Sequence, residues 1–441
     1  MAVPELPQAL LAKLAGQVVQ DPGVPPPNPT VSAWQEPPHP FAKVQSKELP
    51  QYTDFAIIGS GITGCSAAKT ILESELNGAK SVTMFEARSL TTGATSRNGG
   101  FLLSHVPQFY GRFVAGFGAE AAKQIALFCD LTLDEIVKVA IAEELDQVSE
   151  IRDVTTVSAF TDQEGFEEAS RSVRMYEEAV HGSEQKYAIV DGGAAEKRLL
   201  ERYPERFSIE TKTPVTSITV SHASDSAYPY TVVTPRGTVR AAKIFHCVNG
   251  FTGHLLPKLR GALFPCRLSM STQKQGPQWG NRAYSWLFHS KQSWDPSTTV
   301  VEQDDSVISG DSARNLTTLL SQKLFSKGWT NPITNNTLSS TPALHRLWSG
   351  ILGMTADQVP IVGELPASVS GRKHEGGEWV AAGFNGYGMC QAWLCGQAIA
   401  RMALGESKPE WLPDVYLSTE QRLTDEAHMG PDAALTSFFL R

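Results

Sequence analysis

One stretch, Asp54-Phe55-Ala56-Ile57-Ile58-Gly59-Ser60-Gly61-Ile62-Thr63-Gly64, restricts what this chain can fold into more than any other. A strand-length apolar run meets three glycines at G-x-G-x-x-G spacing, and a helix-like segment follows from Cys65 to Glu75. Gly59 permits a sharp turn out of the strand. Gly61, with no Cβ, lets a pyrophosphate approach the backbone, and Gly64 lets the helix pack close to the strand. Unpaired N–H groups at the helix start, together with the helix dipole, then face the phosphates. The stretch predicts a nucleotide-binding β-turn-α unit.

A second strand-like run, residues 81–85, ends in Glu86, 22 residues after Gly64. A carboxylate there accepts hydrogen bonds from a ribose hydroxyl and repels a 2′-phosphate, so FAD or NAD is favoured over NADP.

The 441 residues are enough for two domains or one large interleaved pair. An apolar fraction of 41%, a charged fraction of 19% and a net charge of −8 are those of a mildly acidic globular enzyme. Such a charge argues against nucleic acid or an anionic membrane as partner. The six cysteines, at 65, 129, 247, 266, 390 and 395, lie mostly in apolar runs and form no C-x-x-C pair, so buried free thiols in a reducing compartment are expected. With no basic n-region and no apolar run of membrane-spanning length, the expected location is cytoplasmic.

Along the chain, a short amphipathic helix (residues 8–19) leads into a proline-rich arm (residues 22–40), extended and, with Trp34 in it, docked. After the first βαβ unit (53–86), the loop Thr91-Thr92-Gly93-Ala94-Thr95-Ser96-Arg97-Asn98-Gly99-Gly100 is too rich in glycine and hydroxyls for a core element and suits closure over a cofactor better than a mobile surface loop. Helical periodicity marks 119–144 and 163–180, and strands are expected at 154–160, 207–210, 215–220, 230–233, 238–248, 268–272, 283–288, 299–302 and 306–310. Residues 316–325 read as a helix. His246 reads as a core histidine, since no second ligand stands at metal-site spacing, and no metal centre is expected. A sheet face carrying Tyr284 and Trp286 would suit an apolar substrate wall. Near the end, Trp379-Val380-Ala381-Ala382-Gly383 runs into Phe384-Asn385-Gly386-Tyr387-Gly388-Met389 and an apolar helix from Cys390 to Leu404, repeating the strand, glycine turn and helix of the opening.

In combination these motifs resemble the FAD-dependent oxidoreductases of the D-amino-acid-oxidase fold, the group of glycine, sarcosine and γ-glutamylputrescine oxidases, especially their fungal relatives. The resemblance spans about residues 52–110 and 205–405, and includes Glu86-Ala87-Arg88, Thr213-Pro214-Val215 and the 355–363 run. It implies an α/β fold in which a Rossmann-like FAD-binding domain (51–115, 205–265 and 341–410) interleaves with an antiparallel-sheet substrate domain (116–204 and 266–340). An N-terminal arm (1–50) and a C-terminal tail (411–441) complete the division. It implies that Gly59, Ser60, Gly61, Thr63 and Gly64 hold the pyrophosphate and Glu86 the adenosine ribose, with Ala87 and Arg88 beside it, and Val215 at the adenine. Arg97, Asn98 and Gly99 would lie beside the flavin, with Gly386, Tyr387, Gly388 and Met389 at the pyrimidine edge, and Thr95, Ser96, Asn249, Gly250, Gly353 and Asp357 would also bind the cofactor. Arg97, Trp348 and Tyr387 are candidates beside the reacting centre. Tyr284, Trp286, Trp348 and Cys390 are substrate-side candidates.

The implied chemistry is hydride removal from carbon next to nitrogen, giving an imine that hydrolyses, with O2 reoxidising the flavin. A lysine that grips a substrate carboxylate in sarcosine oxidase relatives is replaced here by Cys390, which favours a small secondary or cyclic amine over a free amino acid. The position of the covalent flavin cysteine is Gly350, so FAD is expected to be noncovalent. The 187–207 stretch is shorter than in relatives. Oxidation of C–C or C–O bonds in a secondary metabolite, or a noncatalytic flavin-binding relative, are the alternatives.

Overall fold

A computed structural model describes residues 8–145, 149, 155–160, 163–180, 206–220, 227–273, 284–289, 304–318, 344–372 and 376–439. Helix α1 (Gln8–Val18) precedes the arm. Then come β1 (Tyr52–Ile58), α2 (Ile62–Glu73), β2 (Val82–Phe85), α3 (Val106–Phe117), α4 (Ala119–Ala142), β3 (Thr155–Phe160) and α5 (Gln163–Ala179). Strands β4 (Phe207–Glu210), β5 (Ser217–Val220), β6 (Tyr230–Thr234), β7 (Gly237–His246), β8 (Leu263–Gln273) and β9 (Tyr284–His289) follow. The chain closes with α6 (Gly310–Thr318), β10 (Leu344–Thr355), β11 (Ile361–Glu364), β12 (Glu378–Ala382), α7 (Ala392–Ala403), short helical turns and α8 (Pro431–Phe439).

The central sheet runs β11-β12-β7-β1-β2-β4. β1 is parallel to β2, with Ile58 opposite Phe85, and parallel to β7, with Ile58 opposite His246. Strands covered on both faces need no polar side, which is why β1 and β2 read as continuous apolar runs. β7 is long enough to carry two partners on its other edge. β6 pairs antiparallel with its first half and β12 parallel with its last three residues.

β1 and β12 therefore flank β7 in parallel and open their glycine turns at the same end of the sheet. The helices after those turns, α2 and α7, pack against each other. A Cβ on Gly396 would run into the carbonyl oxygen of Thr63, and Ser66 donates to the carbonyl of Trp393 at 2.5 Å.

The long strand β10 pairs antiparallel with β8, from Leu344 opposite Gln273 to Thr355 opposite Leu263. β3 and β9 form a separate parallel pair. The strand expected at 306–310 is instead a loop entering α6. Ser306 N–H and its hydroxyl both donate to the Asp304 carboxylate, at 2.9 and 2.6 Å, a local side-chain turn that competes with any sheet ladder. The expected strand at 299–302 lies outside the described residues, as does most of the 187–207 stretch. No helix among the described residues is long and apolar enough to cross a membrane.

Candidate cofactor site

At the shared end of β1, β7 and β12 lies a cavity of about 350 Å3. Its walls are the 58–63 turn, residues 85–88, 93–95 and 97–99, Pro214 and Val215, residues 247–251, Leu268, Met270, residues 350–352, and the second turn with Met389 and Ala392. The glycines of the first turn are explained by their neighbours. Gly59 has φ +105°, and a Cβ there would stand 2.6 Å from the carbonyl oxygen of Cys247. A Cβ on Gly61 would meet Thr95 Oγ1 at 2.9 Å, the oxygen that accepts from Ile62 N–H at 2.9 Å. Gly64 lies behind the wall, where a Cβ would enter the carbonyl oxygen of Gly59.

Glu86 is buried on the cavity wall. One carboxylate oxygen accepts from Ser60 N–H (3.2 Å) and Ser60 Oγ (2.6 Å), the other from Arg88 N–H (3.0 Å). Ser60 Oγ in turn accepts from Thr91 N–H at 2.9 Å. The carboxylate thus braces the glycine turn against the next loop as well as facing the cavity.

Asn249 links the two glycine turns. Its side-chain oxygen accepts from Gly383 N–H at 2.9 Å and Phe384 N–H at 3.4 Å. Gly353 is glycine because a Cβ would collide with that same amide.

Arg97 is held on every side. Its Nε donates to the Thr92 carbonyl at 2.7 Å and sits 3.4 Å from Asp305. Its Nη1 donates to the Ser349 carbonyl (2.6 Å) and to Thr30 Oγ1 (3.1 Å), and its Nη2 donates to the Thr30 carbonyl. Burial pulls its pKa down to about 10, against the attraction of Asp305. Arg88 pairs with both oxygens of Asp305, at 2.8 and 2.9 Å.

The second turn is a partition. Phe384, Gly386, Gly388 and Met389 line the first cavity, while Asn385, Tyr387, Cys390 and Gln391 line another, of about 610 Å3, on the opposite side. Asn385, with φ +53°, fastens the partition. Its Oδ1 accepts from Thr355 N–H at 2.8 Å, and its Nδ2 donates to Thr355 Oγ1 at 2.9 Å and to the Gly383 carbonyl at 2.7 Å.

The family model for DAO, the FAD dependent oxidoreductases, matches residues 54–402. The chain belongs to this family. Its cofactor is FAD, and it is an FAD-dependent oxidoreductase. Among curated proteins none matches the sequence. Three solved structures show the same fold at low identity. An L-amino acid deaminase from Proteus vulgaris, lacking its specific insertion sequence, has a TM-score of 0.59 at 14% identity over 86% of this chain and 97% of its own. A glycine oxidase from Geobacillus kaustophilus gives 0.57 at 16% over 84% and 99%. An L-proline dehydrogenase from P. horikoshii gives 0.58 at 12% over 84% and 98%.

The walls of the DAO-family cavity fit the cofactor. Gly59 and Gly61 present bare backbone to the cavity, and Arg88 Nε, buried on the wall, has no hydrogen-bond partner among the described residues. Of the residues singled out from the sequence, Gly59, Ser60, Gly61, Thr63, Glu86, Ala87, Arg88, Thr95, Arg97, Asn98, Gly99, Val215, Asn249, Gly250, Gly386, Gly388 and Met389 line it. Ser96 stands behind the wall, its hydroxyl donating to the Thr91 carbonyl at 2.7 Å. Trp348 is fully buried and donates its indole N–H to the Arg97 carbonyl at 2.9 Å.

Asp357, Tyr387 and Cys390 line the second cavity instead. There Asp357 pairs with Arg422 at 2.8 Å, and Cys390 donates to the Tyr387 carbonyl at 3.3 Å. Tyr387 meets His105 edge-on at 4.3 Å, and burial pushes its hydroxyl up to about 12. The side chains of Tyr284 and Trp286 lie outside the described structure. Sequence reasoning missed Asp305 and Thr30, which have no motif around them and acquire their roles only through partners 217 and 319 positions away.

Proposed function

We propose that this enzyme oxidises a C–N bond of a small amine that lacks a free carboxylate, a secondary or cyclic amine, using noncovalently held FAD and O2 as acceptor. The observation that carries the substrate class is the state of the cavity's guanidiniums. Of the two arginines among the described residues lining the cavity, Arg97 is engaged by Asp305, Thr30 and Ser349, and Arg88, two residues from Glu86 at the ribose end, pairs with Asp305 and leaves its Nε open at that end only, so neither is placed to grip a substrate carboxylate beside the flavin. Cys390, at the position of the carboxylate-gripping lysine, faces the other cavity.

In this reading Gly59, Ser60, Gly61 and Thr63 hold the pyrophosphate and Glu86 the ribose, with Val215 near the adenine and Asn98, Gly99, Gly386, Gly388 and Met389 beside the flavin ring. FAD, when bound, supplies the acceptor for a hydride from carbon next to nitrogen. Leu268, Met270, Ile351, Leu352 and Met389 give that end of the cavity apolar walls that exclude water. The positive end of α7, whose first residue Ala392 lines the cavity, stabilises negative charge arising there.

Noncovalent binding is supported by Gly350 and Cys247. A Cβ on Gly350 would already press on Arg97 Cβ at 3.0 Å, and burial pushes the thiol of Cys247, the cysteine on the wall, up to about 12, away from a reactive thiolate. The test is an anaerobic screen of amines and amino acids that follows bleaching of the flavin band, then admission of O2 with a peroxide assay. Secondary or cyclic amines should bleach the flavin and release an imine or aldehyde product. Faster reduction by α-amino acids would overturn the substrate class, and C–C or C–O oxidation products would overturn the reaction.

A further inference from the structure

The proline-rich arm does more than cross the surface. Gly23, Val24 and Pro25 line the cofactor cavity themselves. Asp21 accepts from or pairs with His254 Nδ1 at 3.1 Å, and the other nitrogen of that cavity-lining ring has no partner among the described residues. The Pro26 carbonyl stands 3.5 Å from Arg88 Nη1.

Thr30 is a junction of three segments that are otherwise far apart. Its N–H and its hydroxyl both donate to the Asp305 carbonyl at 2.9 Å. The hydroxyl oxygen also accepts from Ser349 N–H (2.9 Å) and from Arg97 Nη1 (3.1 Å). Further on, Ser32 donates to the Ser96 carbonyl, Gln35 to Thr92 Oγ1, and Trp34 to the Asn98 carbonyl at 2.9 Å. The Trp34 indole occupies the space a Cβ on Gly100 would need. The second glycine of the Gly99-Gly100 pair, which does not line the cavity, is thus shaped for the arm.

Charge reinforces the geometry. Arg88 and Arg97, both buried, share one carboxylate, that of Asp305. The cluster keeps one excess positive charge on the cavity wall, where an anionic ligand group complements it. Arm carbonyls and the Thr30 hydroxyl hold those guanidiniums in place from the outer side.

We propose that residues 21–35, of which Gly23, Val24 and Pro25 line the FAD site, act as its latch, so that FAD leaves only after the arm undocks from the Arg88–Asp305–Arg97 cluster. The proposal rests on the FAD-binding reading of this cavity. It is tested on the full-length holoenzyme with two variants that disturb the arm by different routes. Thr30→Val removes the junction's hydroxyl at nearly constant volume, and Trp34→Ala empties the indole's seat over Gly100 and removes its hydrogen bond to the Asn98 carbonyl, at a residue that does not line the cavity.

Two rates are measured after dilution, flavin release from the recovery of flavin fluorescence and limited-proteolysis cleavage within residues 20–50. Circular dichroism establishes that each variant is folded. Both variants are expected to release flavin about tenfold faster than wild type, the loss expected for a few buried hydrogen bonds, with arm cleavage accelerated in step. Flavin release at the wild-type rate in a folded variant overturns the latch, as does accelerated release with the arm still fully protected. A wild-type protein that never retains flavin would instead overturn the cofactor assignment itself.

Discussion

The two glycine turns that face the cofactor cavity follow strands flanking the same neighbour, β7, and lead into helices that pack together, yet they are built from different materials. The turn at 59–64 is closed by backbone against backbone, with Gly59 under the Cys247 carbonyl and Gly64 under the Gly59 carbonyl, and is braced by the Glu86 and Thr95 side chains, 26 and 33 residues from their partners. The turn at 383–391 is held by side-chain amides. Asn249 reaches it from 134 residues away, and Asn385 reaches back 30 residues to Thr355. A turn closed by backbone contact tolerates no Cβ. One held by distant amides tolerates side chains but depends on their hydrogen bonds. The first presents one face to the cofactor, the second separates two cavities.

The comparison can be broken most forcefully at Gly64. Gly64→Val should destabilise the protein by about 3–5 kcal/mol, because backbone has to move to admit the side chain, and soluble folded yield should collapse. A Gly64→Val protein with wild-type melting would show that the first turn is not closed by backbone contact. Next, Gly61→Val should abolish flavin retention while leaving a folded apoprotein, since the side chain enters the cavity beside Thr95. Normal flavin content by absorbance would remove the 59–64 turn from the cofactor site.

On the second turn, Asn385→Ala strands the buried Thr355 N–H without its 2.8 Å acceptor and should cost about 1–3 kcal/mol in chemical denaturation. A neutral result would place the strength of this turn elsewhere.

A subtler measurement concerns the strand between the two turns. His246 of β7 is fully buried opposite Ile58 of β1 and Val380 of β12, 3.0 Å from Glu378. Burial lowers its pKa in spite of the hydrogen bond to Glu378, so the folded protein resists a proton that the unfolded chain accepts. Stability from this group is therefore present above the ordinary histidine value of about 6.5 and lost as pH falls below it, by up to about 1.4 kcal/mol per pH unit. Melting curves of wild type and His246→Phe, recorded from about one pH unit above 6.5 to about one and a half below it, should diverge in slope, with the variant flatter. Equal slopes would show that His246 takes up its proton in the folded state.

Smallest of all should be Tyr387→Phe. Tyr387 faces the second cavity, so flavin content should stay at the wild-type level and turnover should change little. A large loss of turnover would mean that the partition passes the phenol to the reacting side.

Much of the first turn was legible because its chemistry is local. Gly59, Gly61 and Gly64 follow directly on the apolar strand, and Glu86 ends the next strand in register beside it. The repeat of strand, turn and helix at residues 379–404 was legible for the same reason, and α7 begins within two residues of Cys390. Which way the second turn's side chains point was not. Asn385 and Phe384 are adjacent yet line opposite cavities, a distinction set by the Thr355 and Asn249 contacts.

By itself the sequence determined that this chain binds a dinucleotide cofactor on a βαβ unit and closes with a second strand-turn-helix, because periodicity and glycine spacing act through backbone geometry over a few residues. Only the tertiary structure decided that Arg97 is spent on Asp305, Thr30 and Ser349, that Cys390 lines the second cavity, and that Gly23, Val24 and Pro25 of the arm line the first. A buried guanidinium takes whatever carboxylate and carbonyls the fold brings to it, and here those lie 208, 67 and 252 residues away, beyond the reach of any local pattern.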